Sequence, residues 1–386
     1  MARKKSSERK GKKVRVEFRK NRGKKNRKRD FTRELNSGEN IDDLKATERV
    51  SGRSDLTRYR TVIAETNAEG ELHLDIDESE CLRGRVLSAI GLNCQVEGED
   101  GKKYLCTVRR VLRTLSRDAR NAVVAGDRVL FRPEGNEQGM IERVDPRQGV
   151  LSRTSNNREH IIVSNIDQVL IVVTADQPPL KTNLIDRFLI SAEKGETEAI
   201  ICINKADLVD PVKLQPIIGL YAQLGYKVLA TSVITKMGIS ELRKLLKGTQ
   251  TVLTGQSGVG KSSLINEVAP SIDLETGEVS SLSMKGKHTT RTTQLLQLDF
   301  GGWVVDTPGI RQLELWDVIP EEIEGFFIEF RPYVTFCKFP NCSHTHETEC
   351  GVKTAVENRQ ISEMRYESYL RMIDEDFVKA DSAAKR

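Results

Sequence analysis

Eight residues of this 386-residue chain, "GQSGVGKS" from Gly255 to Ser262, fit the pattern G-x-x-x-x-G-K-[ST] at every fixed position. That spacing suits phosphate binding for a geometric reason. The glycines let the backbone wrap a phosphate group, and the run Gly255, Gln256, Ser257, Gly258, Val259 and Gly260 then aims amides at its oxygens from a helix N-terminus. Lys261 would bridge β- and γ-phosphates, the Ser262 hydroxyl would bind Mg²⁺, and Ser263 closes the nucleotide-contacting run. The apolar "TVL" before the loop and "SSLINEV" after it supply strand, loop and helix in the required order.

A second constellation reads a base. In "INKADLV", Ile203 to Val209, Asp207 would accept two hydrogen bonds from the ring N–H and exocyclic amine of guanine. Adenine offers neither donor, so a buried carboxylate would be left unpaired. Asn204, Lys205 and Ala206 would brace the loop and flank the base. "ATS", Ala230 to Ser232, ends the next strand and would bring Thr231 and Ser232 to the other edge of the base. "DTPG", Asp306 to Gly309, follows the strand "WVV"; Asp306 would hold Mg²⁺ through water and the Gly309 amide would sense the γ-phosphate. Between the two phosphate elements lies "KGKHTTRTT", Lys285 to Thr293. A threonine there can close over Mg²⁺, with Thr290 the first choice and Thr289 the alternative. Ile310 follows DTPG directly, and an aliphatic side chain cannot orient water, so slow intrinsic hydrolysis is expected. His288 is the nearest titratable group for a catalytic part beside Lys261 and Thr290.

A third group is metal-binding in type. "CKFPNCSHTHETEC" places Cys337, Cys342, His344 and Cys350 at C-x4-C-x-H-x5-C, the donor set of one closed, tetrahedral, structural zinc site. His346 is the alternative to His344.

The elements that must carry these residues are legible from periodicity. "DQVLIVVTAD" and "EAIICINKAD" are continuous apolar runs of the kind buried on both faces of a parallel sheet. "NLIDRFLISAEKG", "VKLQPIIGLYAQLG" and "GISELRKLLKG" are amphipathic helices between strands. Residues 156–318 therefore form a doubly wound α/β domain. Before it, residues 75–153 hold short alternating strands with Gly-Asp turns, the pattern of a small OB-type β-barrel. Its stretch from Leu82 to Ser152 carries 13 Lys/Arg against 9 Asp/Glu. Few aromatics stand there, so backbone and shape contacts with RNA are expected rather than base stacking. Residues 320–386 form a helical zinc-binding domain.

The charge of the chain is unevenly placed. Residues 1–30 hold 16 Lys/Arg and 3 Asp/Glu, a net of +13 within a total of +5, so the remainder is net negative. Residues 1–60 lack periodicity and are expected to be disordered, with the basic clusters acting as a polyanion-binding arm. No segment approaches the roughly 18 apolar residues of a membrane span. A soluble, cytoplasmic, monomeric protein is expected, and the seven cysteines suit reduced thiols with one metal site.

The order of the elements is unusual. NKAD and ATS precede the phosphate loop, which precedes KHTT and DTPG; in an ordinary small GTPase the phosphate loop comes first. A sheet tolerates such an order if the natural termini are joined and the chain is opened elsewhere. With its barrel, permuted GTPase motifs and Cys/His cluster, the chain over about residues 80–380 resembles the circularly permuted GTPases of the ribosome small subunit-dependent GTPase A (RsgA) type. The resemblance implies GTP hydrolysis to GDP and phosphate, stimulated by the 30S subunit, a part in late 30S maturation, contacts with 16S rRNA, and His288 as a catalytic group. Two other readings of the same residues are an RNA-binding module with a regulatory, barely catalytic GTP site, and a large-subunit assembly GTPase. If the basic extension is an RNA-binding arm, deleting residues 1–50 weakens RNA binding and flattens the dependence of log affinity on log salt, by about 0.7–0.9 in slope for each phosphate no longer neutralised. Identical salt slopes in filter-binding titrations would return the extension to a solubilising role.

Overall fold

The computed structural model describes residues 12–17, 59–66, 72–74, 78–91, 93–109, 112, 122–154, 159–272, 274, 293–306 and 320–384. They fall into two compact units. The first, residues 1–79 with 110–117, contains an antiparallel sheet of β1 (Lys12–Glu17), β2 (Tyr59–Thr66) and β3 (Leu72–Leu74) in the order β1-β2-β3. Among its described residues, the segment expected to lack regular structure holds β1, in "KKVRVE", where Val14 and Val16 alternate with charged residues, and the first two residues of β2, Tyr59 and Arg60. The rest of that expectation falls on residues outside those described.

The second unit, residues 80–109 and 118–386, begins with a closed five-stranded barrel. Its strands are β4 (Leu82–Ile90), β5 (Asn93–Gly98), β6 (Lys103–Val108), β7 (Arg128–Gly135) and β8 (Gln138–Val144). Antiparallel pairs β4–β5, β5–β6, β7–β8 and β4–β7 close the barrel with the one parallel pair β6–β8. This is OB-type connectivity. Inward positions along the alternating strands carry Val86, Cys94, Val96, Cys106, Phe131 and Ile141, all buried. At Gly84 a Cβ would meet the Glu97 carbonyl at 2.7 Å and the Phe131 ring at 2.9 Å, so the strands could not approach as they do with a larger residue.

A small hairpin of β9 (Leu151–Thr154) and β10 (Glu159–Val163) leads into the α/β part. Its strands are β11 (Gln168–Thr174), β12 (Glu198–Asn204), β13 (Lys227–Ala230), β14 (Gln250–Thr254), β15 (Gln294–Gln297) and β16 (Trp303–Asp306), and they lie in the order β13-β12-β11-β14-β16-β15. All pairs are parallel except β15–β16. Helices α1 (Thr182–Lys194), α2 (Gln215–Gln223), α3 (Ile239–Leu246) and α4 (Lys261–Val268) cover both faces. The period-2 alternation of strand side chains sorts the core: Val169, Ile171, Val173, Ile201 and Ile203 pack with Ile185 and Leu189 of α1, whereas Leu170, Val172, Ile200 and Cys202 pack with Leu242, Leu246 and Leu264. The doubly wound sheet expected from the apolar runs is present. Edge strand β15 also pairs with β4 at Gln294–Ser88, which joins barrel and α/β sheet into one eleven-stranded sheet.

The C-terminal part comprises α5 (Pro320–Phe326), α6 (Gly351–Glu357) and α7 (Glu363–Ala384). Its core of Phe327, Phe330, Tyr369 and Met372 includes Ile190 of α1. Beside that contact, Arg365 is 2% exposed and Asp186 of α1 fully buried, with Nη1 2.6 Å from Asp186 Oδ1. The same guanidinium takes Glu329 in a two-point fork at 2.6 and 3.2 Å and lies over the Phe327 ring. Burial pushes the Asp186 carboxyl up, and the Arg365 charge pulls the other way. Replacing Arg365→Ala leaves a buried, uncompensated carboxylate and should cost about 3–5 kcal/mol. The loss would be read as a lowered thermal transition and faster proteolytic release of the C-terminal helices; an unchanged transition would show that the pair does not seat this domain.

Candidate functional site

The phosphate loop runs from the C-terminal end of central strand β14 into α4, and three backbone positions explain its glycines. Gly255, Gly258 and Gly260 have φ of +139°, +81° and +92°, a region that side chains rarely adopt. At Gly255 a Cβ would stand 2.0 Å from the Val172 carbonyl, and at Gly260 it would stand 2.5 Å from Asn204 Nδ2. Val259 between them is buried among the sheet and helix residues and anchors the loop. Lys261 donates from Nζ to the carbonyls of Gly255 and Gln256, each at 2.8 Å. This curls the ammonium over the loop, next to the helix N-terminus where an anion is favoured. Gln256, Ser262 and Ser263 are partly exposed, and Ser257 is exposed.

The residues expected to read the base sit at the end of β12, two strands from β14. Asn204 is 2% exposed. Its Nδ2 donates to the Val259 carbonyl at 2.8 Å, while its Oδ1 accepts from Thr231 Oγ1 at 3.2 Å. Lys205, in the left-handed region at φ +55°, donates to the Gly258 carbonyl at 2.9 Å and the Gln177 carbonyl at 2.7 Å. The Ala206 amide donates to the Thr231 carbonyl. NKAD, ATS and the phosphate loop therefore meet through named hydrogen bonds despite their inverted order. Asp207 is exposed at this edge, positioned as a carboxylate acceptor toward solvent.

Thr231 and Ser232 are fully buried. The Thr231 hydroxyl serves Asn204, and the Ser232 hydroxyl accepts from the Thr235 amide at 3.1 Å; both side chains brace the loop from within. His288, Thr289, Thr290, Gly309 and Ile310, with the Asp306 side chain, lie outside the described residues.

The metal-type residues converge. Donor atoms of Cys337, Cys342, His344 and Cys350 all lie within 4.8 Å of one another, with His344 Nδ1 3.3 Å from Cys350 Sγ and 3.6 Å from Cys337 Sγ. A tetrahedral ion with bonds of about 2.0–2.3 Å would set its donors about 3.3–3.8 Å apart, so binding one would draw this group together by about an ångström. Burial pushes the Cys342 thiol up to about 12, so a soft cation is the group that would turn these thiols into thiolates. His346 is 84% exposed, and its Nδ1 lies against Thr345 Oγ1. Of the two histidines, His344 is the one whose ring stands among the thiols.

Several supporting residues carried no signal in the sequence. Glu347 accepts from the amides of Ser343 and Thr345 and from the Ser343 hydroxyl. Burial opposes its charge, yet those donors bring its carboxyl down to about 2. Tyr366 and Tyr369 of α7 donate to the carbonyls of His344 and Ser343 at 2.7 and 2.8 Å. Gln177 was equally invisible, because a backbone carbonyl is acceptor-capable at any residue.

The chain is similar to several known proteins. A family model described as RsgA GTPase matches residues 144–316. The chain is 43% identical over 297 residues to the small ribosomal subunit biogenesis GTPase RsgA of Thermotoga neapolitana, covering 76% of this chain and 96% of that one. It is 40% identical over 274 residues to the protein of the same name in Alkaliphilus metalliredigens, covering 70% and 90%. The crystal structure of YjeQ from Thermotoga maritima superposes with a TM-score of 0.65 at 40% identity over 77% of this chain and 99% of that one. YloQ, described as a circularly permuted GTPase, superposes with a TM-score of 0.61 at 29% identity over 78% and 96%.

If Asp207 reads the base, Asp207→Asn should lower affinity for guanine nucleotides about 10- to 100-fold, the loss of hydrogen bonds to a charged acceptor. It should also shift preference toward xanthine nucleotides. Equilibrium titration with fluorescent guanosine and xanthosine diphosphates checks both; an unchanged guanine preference would remove NKAD from the site.

Proposed function

This chain belongs to the RsgA GTPase family, and on that premise we propose that it is a GTPase that binds the small (30S) ribosomal subunit and assists its late maturation. It hydrolyses GTP to GDP and phosphate, with turnover stimulated by the subunit. The observation that carries the reading is the pair of bonds from Asn204 to the Val259 carbonyl and from Lys205 to the Gly258 carbonyl, which hold the NKAD and GQSGVGKS segments against each other as a shared guanine-nucleotide site requires.

The residues divide the work by chemistry. Asp207 selects guanine, and Thr231 and Ser232 shape the base pocket from beneath, leaving backbone to face the ring. The loop amides from Gly255 to Gly260 and the α4 terminus take the phosphates. Lys261 exchanges its two loop carbonyls for phosphate oxygens, a charge-for-dipole replacement that favours the bound state. Ser262, Asp306 and Thr290 (or Thr289) would hold Mg²⁺, which would supply charge neutralisation on the phosphates. Gly309 senses the γ-phosphate. Because Ile310 cannot orient water, the attacking water needs another partner; His288 takes that part when the subunit arrives.

The Cys337, Cys342, His344 and Cys350 set takes one structural Zn²⁺, the ion that prefers three thiolates and an imidazole in a tetrahedron. The barrel and the basic extension contact 16S rRNA. The working form is a cytoplasmic monomer; no helix among the described residues is long and apolar enough to cross a membrane.

Turnover of GTP by the purified chain, alone and with isolated 30S or 50S subunits, tests the reading. Addition of 30S should raise the rate about tenfold or more, equivalent to ~1.4 kcal/mol off the barrier, and 50S should not. Stimulation by 50S alone would reassign the chain to the large subunit, and stimulation by neither would leave an RNA-binding protein with a regulatory nucleotide.

A further inference from the structure

We infer that Glu324 is a positioning residue of the metal centre: its carboxylate accepts the hydrogen bond of His344 Nε2–H and so holds the imidazole with Nδ1 turned to the metal. The inference rests on the proposal that the Cys/His cluster holds a metal ion, and adds to it a residue outside the ligand set.

The geometry of His344 leads to it. The ring nitrogen among the thiols is Nδ1, 3.3 Å from Cys350 Sγ and 3.6 Å from Cys337 Sγ. An imidazole that gives Nδ1 to a metal carries its proton on Nε2. That Nε2 is buried and makes no hydrogen bond, a state that costs about 1–3 kcal/mol if nothing answers it. The side chain is 2% exposed, its ring edge-on to Phe330 with centroids 6.0 Å apart and beside Tyr369 at 6.3 Å. Water therefore has little access to the orphaned nitrogen.

The acceptors nearby are sorted by their existing bonds. Glu347 is committed to the amides of Ser343 and Thr345. The hydroxyls of Tyr366 and Tyr369 donate to the carbonyls of His344 and Ser343, and although a hydroxyl that donates can still accept, neither accepts from Nε2. Glu324 Oε1 stands 3.4 Å from Nε2, close enough that a small swing of either side chain completes the bond. The Glu324 side chain is 40% exposed and free to make that adjustment. The His344 backbone is not: it sits at φ +57° with its carbonyl tied to Tyr366. Ring orientation is thus the remaining degree of freedom at this ligand, and Glu324 is placed to set it. A carboxylate behind a ligating imidazole orients the ring and strengthens it as a donor.

The test uses the full-length chain with Glu324→Ala and Glu324→Gln, Zn²⁺ affinity being measured by competition with a chromophoric chelator and Co²⁺ binding by the d–d and thiolate charge-transfer absorption. Glu324→Ala should weaken both ions about 10- to 100-fold. Glu324→Gln, which keeps an oxygen acceptor, should recover most of the loss, with the thermal transitions of the metal-free proteins alike. Wild-type affinity in Glu324→Ala overturns the positioning role. So does equal weakening in both variants with destabilised metal-free proteins, which marks a merely structural residue. A wild-type chain that takes up neither ion removes the metal centre, and the inference with it.

Discussion

Asn204 uses both ends of one buried amide to hold two loops that the chain supplies in separate segments. Nδ2 bonds the phosphate loop at Val259, and Oδ1 takes the Thr231 hydroxyl from the following strand. Either end left unpaired in so buried a place would cost about 1–3 kcal/mol, so the three segments are held in one arrangement. Gly260 belongs to the same constraint, since any side chain there would displace the Asn204 amide. Because side-chain bonds and sheet pairing set these distances, the site does not depend on which segment comes first along the chain. The permuted order of strands leaves the spatial order β12-β11-β14-β16 intact.

Helix α1 extends this frame to the C-terminal domain. One side packs against the sheet through Ile185 and Leu189, and the other gives Ile190 to the C-terminal core and Asp186 to Arg365. A buried pair of this kind is a poor source of net stability, because desolvation offsets most of the attraction. Its geometric demand is stricter: the forked contact to Glu329 and the single contact to Asp186 are satisfied together in one docking of α7 on α1. The outer ion pair between Lys194 and Glu322 at 2.7 Å is exposed and contributes little by comparison.

The barrel is attached by different means. β4 adds to the sheet at β15, a register shift in β4 lies between Val86 and Ser88, and Leu87 between them packs into the α/β core. Arg85 lies over the Trp303 ring at 5.2 Å. Asp127, fully buried, receives Arg147 at 2.7 Å, the Ser164 hydroxyl at 2.6 Å and the Val124 amide at 2.8 Å, closing the joint from the other side. β15 follows the segment expected to hold the switch threonines, so the strand leaving that segment is hydrogen-bonded to the barrel.

What the amino-acid order determined by itself was what contiguous residues can express. A phosphate loop is chemistry of consecutive amides, so "GQSGVGKS" announces it. An alternating or continuous apolar run announces its strand, and three thiols and an imidazole within a short polar stretch announce a cluster that could hold a metal. Tertiary structure alone decided the rest. His344 and His346 are two residues apart in sequence, yet a left-handed turn and the fold of α7 over the loop bury one and expose the other. Thr231 and Ser232 read as base contacts by position, but packing turns both hydroxyls inward. Lys205 with Gln177, Arg365 with Asp186 and His344 with Glu324 are contacts between distant segments, and no spacing along a chain encodes a distance across a fold.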